Sequence, residues 1–293
     1  MGFFLETLFG GLMVGMLYSL IALGFVLIFK ASGVFNFAQG PMVLFAALCF
    51  ITFLERGAPA WLALIGAAAV MVAMAFAIER TVLRPLVNQA PIILFMATIG
   101  LTFVIEGLAQ VIWGSDVRRL DVGIPRDPVT IGGVQINQGD IVAAVIAGLL
   151  VSVLGFFFQY TRVGRALRAV ADDNQAAQSV GIPLKEIWVY VWSVAGFVAL
   201  VTGVIWGSKL GVQFSLVLIT LKALPVLILG GFTSIPGAIV GGLIIGAGEK
   251  VAEVFWGQNI GGAVEDWFAY VVALIFLMFR PQGLFGERII ERV

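Results

Sequence analysis

Runs of apolar residues long enough to cross a lipid bilayer follow one another along almost the whole chain, and few folds are compatible with that pattern. A bilayer core of about 30 Å takes about 20 mostly apolar residues per helix. Such runs lie at about 7–29, 38–54, 60–83, 92–113, 140–160, 187–208, 216–256 and 264–279. Each is continuous rather than alternating with period two, which selects helices over a barrel. The expected fold class is therefore all-α, a polytopic transmembrane helical bundle of about eight spans. No Gly/Ser/Pro linker divides it, so residues 1–293 are expected to form one domain. The seventh run is too long for one simple helix and is interrupted by GGFTSIPG at 230–237. It is expected to form either two short spans or a broken, re-entrant pair. The start, MGFFLETLFGG, has no basic n-region and no small-residue cleavage site, so it is expected to be a retained first span.

Composition closes off most other classes. Hydrophobic residues make up 61% of the chain and charged residues 12%, with a mean hydropathy of +1.08. A soluble domain needs about 25% charged residues to cover its surface, so this surface must face lipid. The 17 basic and 17 acidic residues cancel, which gives no electrostatic footprint for nucleic acid. There is no histidine, so imidazole metal sites, Ser-His-Asp triads and imidazole proton relays are excluded. The lone Cys49 cannot form an internal disulfide. No catalytic set and no metal-ligand set is expected, and a membrane-embedded enzyme ranks last among the function classes.

Lys and Arg in short loops mark the cytoplasmic side. Arg162, Arg165, Arg168 and Lys185 place the segment after the fifth span inside. Counting back puts Arg80, Arg84 and Lys30 inside and the N-terminus outside. The 114–139 loop then falls outside, where Asp116, Arg118, Arg119, Asp121, Arg126 and Asp127 nearly balance. Arg280, Arg288 and Arg292 ask for a cytoplasmic tail. The 216–256 run must then contribute zero or two crossings.

Residues 161–187, TRVGRALRAVADDNQAAQSVGIPLKEI, are the longest polar helical stretch. Ala166, Leu167, Val170, Ala177 and Val180 recur near helical spacing, and Gly181-Ile182-Pro183 ends the run. Two readings stand side by side: an amphipathic helix docking into a cytosolic partner, or an interfacial helix held on anionic lipid by its arginines. At Asn36-Phe37-Ala38-Gln39-Gly40-Pro41, two amides, a glycine and a proline break an apolar run. That marks either a discontinuous helix beside a transport path or a tight interfacial turn, with topology favouring the turn. In 230–242, Gly230, Gly231 and Pro236 stop one helix, and Thr233 or Ser234 would cap the next. The new helix N-terminus suits a carboxylate; Gly237, Gly241, Gly242 and Gly246 equally suit close helix packing. Glu106, Lys222, Glu249 and Lys250 are the intramembrane charges, and Lys222 with Glu249 is a candidate structural pair, within the bundle or across a subunit interface. No span carries several acids in a row as a proton or sodium relay would. Trp61, Trp113, Trp188, Trp206, Trp256 and Trp267 fall near span ends, as interfacial belts do.

Four segments together resemble the LivH-type permeases of ATP-binding-cassette importers for branched-chain amino acids. They are GRALRAVADDNQAAQSVGI, LYSLIALGFVLIFKASGVFNFAQG at 17–40, LKALPVLILGGFTSIPGAIVGG at 221–242 and RPQGLFG at 280–286. The resemblance implies that Gly164, Arg165, Arg168, Ala169, Asp172, Ala176, Ala177, Gly181 and Ile182 form the loop that seats on the ATPase. The two helix breaks make Asn36, Gln39, Gly40, Gly230, Gly231, Thr233, Ser234 and Pro236 the candidates for the translocation path. One departure is Gln39-Gly40, where the family often has His before the Gly; Gln cannot titrate. The implied partners are a second, LivM-like permease subunit, two cytosolic ATPases, a periplasmic substrate-binding protein and the bacterial inner membrane. In that membrane the orientation read from Lys and Arg makes the N-terminus periplasmic and the C-terminus cytoplasmic. The sequence has no Gly-Lys dipeptide and hence no phosphate-binding loop, so ATP and Mg would sit on the partner ATPases, with no cofactor in this chain. The same architecture carrying urea, short amides or aromatic-type acids is the alternative cargo. An ion-coupled secondary transporter or channel is the alternative class.

Overall fold

The computed structural model describes residues 2–86, 89–123, 127–131, 133–172 and 174–286. Arg126, Arg288 and Arg292, used above for orientation, lie outside the described residues. Helices α1 (Gly2–Ser32), α2 (Gln39–Glu55), α3 (Ala60–Ile78) and α4 (Pro91–Trp113) come first. A short hairpin of β1 (Pro128–Ile131) and β2 (Val134–Asn137) follows, then α5 (Gln138–Tyr160), α6 (Arg162–Asp172) and α7 (Asn174–Ser179). The chain continues through α8 (Leu184–Leu210), α9 (Leu216–Leu221), α10 (Ala223–Gly230), α11 (Ile235–Ile260) and α12 (Val264–Phe279). The fold is a polytopic helical one, and the apolar runs map onto helices to within a few residues. The hairpin pairs Val129 with Ile136 and Thr130 with Gln135 in antiparallel register.

Among the described residues, five helical stretches are long and apolar enough to cross a membrane: Gly2–Ser32, Ala60–Leu86, Pro91–Trp113, Gln138–Tyr160 and Leu184–Leu210. Leu216–Gly230 and Ile235–Asn259 pass the same test together, bent by 116°. The seventh run is therefore broken, as its length required. It is broken twice, because Pro225 has no N–H to return to Leu221, where α9 stops.

Contacts divide the chain into two compact units. One comprises Leu27–Val122 and Leu154–Leu221. Its centre is α2, buried from Gln39 to Pro41 and over most of the residues to Ile51, with α3, α4, α8 and α9 packed around it. A methyl group at Gly203 of α8 would lie 2.5 Å from the Val43 carbonyl oxygen, so the two backbones approach as closely as glycine permits. The other unit comprises Met1–Val26, Gly123–Val153 and Lys222–Val293. In it α10, α11 and α12 pack mutually, and the first part of α1 lies on α11. A methyl at Gly15 would sit 2.5 Å from Gly242 O, and one at Gly11 2.7 Å from Gly246 O. The glycines of 237–246 are therefore packing residues, as one of the two sequence readings held.

One tryptophan departs from the expected interfacial belt. Trp188 is buried, and its indole N–H donates to Ala31 O at 3.1 Å. Its position near a helix start concealed an inward orientation. Trp61, Trp256 and Trp267 are exposed, as a belt requires.

Candidate functional site

Three groups of sequence-predicted residues can be placed. The first is the turn before α2. Asn36 Oδ1 accepts from Ala38 N–H at 3.1 Å, and Gln39 N–H donates to Asn36 O at 3.3 Å. This side-chain-to-backbone turn satisfies amides that would otherwise be stranded. Phe37 N–H donates to Thr98 Oγ1 at 3.4 Å, and the same hydroxyl lies 3.1 Å from Phe35 O. Asn36 and Gln39 are fully buried. Gln39 Nε2 donates to Ala195 O of α8 at 3.3 Å, while its Oε1 has no hydrogen-bond partner. Gly40 faces α9: a methyl there would meet Val217 Cγ1 at 3.0 Å. The segment is a tight, buried turn, and Gln39 brings an orphan acceptor to the α2–α8 contact.

The second group is the break at 230–237. Gly231 has φ 103°, a conformation that favours glycine, and ends α10. Ser234 caps α11 by accepting from Gly237 N–H at 3.0 Å; of the two candidates, the serine is the cap and Thr233 is not. Pro236 has no N–H, and Ala238 N–H donates to Ser234 O, so the first turn of α11 keeps few free amides for a carboxylate. Gly230 and Gly237 pack backbone to backbone. The RPQGLFG segment also closes on this break. Leu284 N–H donates to Leu229 O at 2.8 Å and Phe285 N–H to Gly230 O at 3.1 Å, satisfying the last carbonyls of α10.

The third group is the 161–187 segment. Leu167, Val170 and Ala177 are buried and face inward, with α6 and α7 both packed on α8. Thr161 Oγ1 accepts from Gly164 N–H at 3.1 Å and starts α6. Gly164 lies on the Phe158 carbonyl, leaving no room for a side chain. The Arg165 guanidinium donates to Tyr160 O at 3.3 Å and that of Arg168 to Gln159 O at 3.1 Å, neutralising the C-terminal end of α5. Ala169 and Ile182 are half-buried, and Ala176 is exposed. Asp172 closes α6. Gly181, with φ 87°, ends α7, and Ile182 N–H donates to Ala177 O at 3.0 Å. Val180, counted with the apolar stripe, is instead 76% exposed. The residues of this loop thus come together as one amphipathic surface element.

Sequence reasoning also placed Lys222 with Glu249, and the ion pair is present within the chain: Lys222 Nζ lies 2.8 Å from Glu249 Oε1. Lys222 also donates to Glu265 O at 3.1 Å and lies 3.4 Å from Asp266 Oδ1. Tyr18 OH donates to Glu249 Oε1 at 3.3 Å. No signal in the sequence pointed to Tyr18, which sits 231 residues away. Among the described residues, no group of three or more Cys, Asp or Glu side chains is arranged to hold a metal ion.

With this geometry in place, comparison with known proteins is decisive. A family model described as "branched-chain amino acid transport system / permease component" matches residues 7–280. The chain belongs to that family. It is 30% identical over 305 residues to the high-affinity branched-chain amino acid transport system permease protein BraD of Pseudomonas aeruginosa, covering 99% of this chain and 98% of that one. It is 27% identical over 312 residues to the corresponding protein LivH of Escherichia coli K12, again covering 99% and 98%. Among solved structures, PsaBC from Streptococcus pneumoniae in complex with Fab matches with a TM-score of 0.50 at 14% identity, over 94% of this chain and 92% of that chain. At that identity the likeness concerns the fold alone. The permease is thus a membrane-embedded transport component, and the family to which it belongs is not one of catalytic enzymes.

Proposed function

We propose that this permease is the LivH-type subunit of an ATP-driven importer of branched-chain and other hydrophobic amino acids. The observation that carries the reading is the family match from residue 7 to residue 280, supported by the near-complete coverage of BraD and LivH. In this reading a periplasmic binding protein delivers substrate, and a second, LivM-like permease completes the path. Two cytosolic ATPases seat on the α6–α7 element that carries Gly164, Arg165, Arg168, Ala169, Asp172, Ala176, Ala177, Gly181 and Ile182, with Gly164 and Ala177 buried on its inner side. ATP and Mg are held by those ATPases.

The exposed and buried faces of α6 and α7 suit that role. Leu167, Val170 and Ala177 fix the element to α8, so motion imposed on its outer face passes into a membrane-spanning helix. Asn36, Gln39 and Gly40 in one unit, and Gly230, Gly231, Thr233, Ser234 and Pro236 in the other, are each candidates for the translocation path in this reading. Of these, Gln39 is the strongest candidate for a polar contact, because its buried Oε1 has no partner.

The test is to isolate the tagged chain from its native membrane in mild detergent, identify the accompanying polypeptides, and reconstitute the assembly in liposomes. Recovery of a second permease and an ATPase, with ATP-dependent leucine uptake, is the expected result. Uptake of urea or short amides in preference to leucine would replace the cargo. Ionophore-sensitive uptake by this chain alone would replace the class.

A further inference from the structure

A cavity of about 490 Å³ opens at the end of the molecule where α2 and α4 finish, wholly within one compact unit. It has a charged mouth and an apolar depth. At the mouth Arg118 Nη1 donates to Glu55 Oε2 at 2.7 Å, with Arg56 beside them. Glu55 is 52% and Arg118 27% exposed, so both keep open positions for further hydrogen bonds. Arg118 is held from behind: its backbone N–H and C=O pair with Val212, and its Nη2 reaches Trp113 O at 3.4 Å. Trp113 is fixed in turn by donation from its indole N–H to Thr52 Oγ1 at 2.6 Å and by edge packing on Phe45.

Below the mouth the wall becomes apolar, with Phe53, Val70 and Ile112. Cys49 lies six residues along α2 from Glu55, so the cavity reaches a depth of ~9 Å at 1.5 Å per residue, with Val70 of α3 also in its wall. Ile112 is strongly exposed on the outside of α4, so the cavity is open toward the acyl chains beside it.

From this arrangement we infer that the cavity is a binding site for a phospholipid with a primary-amine headgroup, taken from the leaflet at that end of the molecule. A phosphate accepts from Arg118 and Arg56, and the neighbouring ammonium donates to Glu55; each charge then meets its opposite without breaking the Arg118–Glu55 pair. One acyl chain follows the Phe53, Val70 and Ile112 wall. A free hydrophobic amino acid carries the same two charges. Its side chain, however, extends only about half of that depth and cannot continue past Ile112 into the bilayer as an acyl chain does, so it leaves apolar wall uncovered at a cost proportional to the area left exposed. An anionic glycerol headgroup brings no cation to Glu55.

Native mass spectrometry of the purified protein, titrated with dioleoyl phosphatidylethanolamine and dioleoyl phosphatidylglycerol in parallel, tests this. Phosphatidylethanolamine is expected to be retained at least about fivefold more strongly, and E55Q to abolish the preference without loss of phosphatidylglycerol binding. The cavity also contains the only thiol, Cys49, so the rate at which a small membrane-permeant maleimide modifies it reports occupancy without any substitution. Phosphatidylethanolamine is expected to slow that rate several-fold, and phosphatidylglycerol not to. Equal retention of the two lipids, or protection of Cys49 by millimolar leucine and not by phosphatidylethanolamine, overturns the inference; the latter outcome would make the cavity an amino-acid site.

Discussion

Lys222 sits where an unpaired charge is least tolerable. Its ammonium reaches Glu249 at 2.8 Å, and Glu249 is 5% exposed with Oε2 lacking any partner. Removing one member of such a pair strands the other and typically costs about 3–5 kcal/mol, whereas replacing both by apolar groups is often neutral. Lys222→Met is therefore expected to lower the unfolding temperature of the purified protein sharply. The Lys222→Met/Glu249→Leu double variant should recover most of the loss, as read by size-exclusion thermal stability. A double variant no better than the single one would show that the pair has more than a local structural role. The α1–α11 glycines allow a second comparison at this scale. A methyl at Gly10 meets nothing within 4 Å, but one at Gly11 meets Gly246 O at 2.7 Å. Gly10→Ala should be neutral or stabilising by up to about 1 kcal/mol, and Gly11→Ala destabilising by about 1–3 kcal/mol. The same thermal assay distinguishes them.

Among the elements, α6 and α7 join the packing argument to the functional one. Arg165 serves two ends in this reading, since it caps α5 through Tyr160 O and faces outward. Arg165→Glu is expected to abolish ATP-driven uptake while the chain still inserts. Gly181→Pro should do the same, because φ 87° is closed to proline. Val180 separates docking from folding more cleanly, being exposed and outside the buried stripe. Val180→Asp is expected to leave thermal stability unchanged and to cut ATP-driven leucine uptake several-fold. Normal uptake in all three variants would remove the loop from the coupling role. How much of this was legible in sequence depended on the type of signal. Helix limits were readable because the apolar runs end where charge or proline begins, and the 230–237 break because Gly, Ser and Pro are local signals. The second break, at Lys222, had an equally local signal in Pro225 that the apolar run obscured. The inward turn of Trp188, the role of Tyr18 beside Glu249 and the capping of α10 by Leu284 and Phe285 depend on contacts between distant residues. Periodicity carries no information about those.

For the whole molecule, combining charge with one pair of hydrogen bonds yields a prediction for the 216–256 run. Basic loops alone left the 216–256 run with zero or two crossings. The tail after α12 bonds directly to the break between α10 and α11, through Leu284 N–H to Leu229 O and Phe285 N–H to Gly230 O. The break and the tail therefore lie at the same level along the membrane normal. If Arg280 holds the tail in the cytoplasm, the break is cytoplasmic too. The run then crosses twice, out of a periplasmic 211–215 segment and back again along α11. A re-entrant pair would instead leave the break within the bilayer. Because Cys49 is the only native thiol, a cysteine-free background needs one substitution. In a Cys49→Ser background, Thr233→Cys and Val180→Cys are expected to react with a membrane-impermeant maleimide only in inside-out vesicles, and Asp116→Cys only in right-side-out cells. Labelling of Thr233→Cys from neither side, with Val180→Cys and Asp116→Cys behaving as expected, would favour a re-entrant pair with no net crossing and place the tail segment at membrane depth. Labelling of Thr233→Cys and Asp116→Cys from the same side would reverse the direction of the whole C-terminal half.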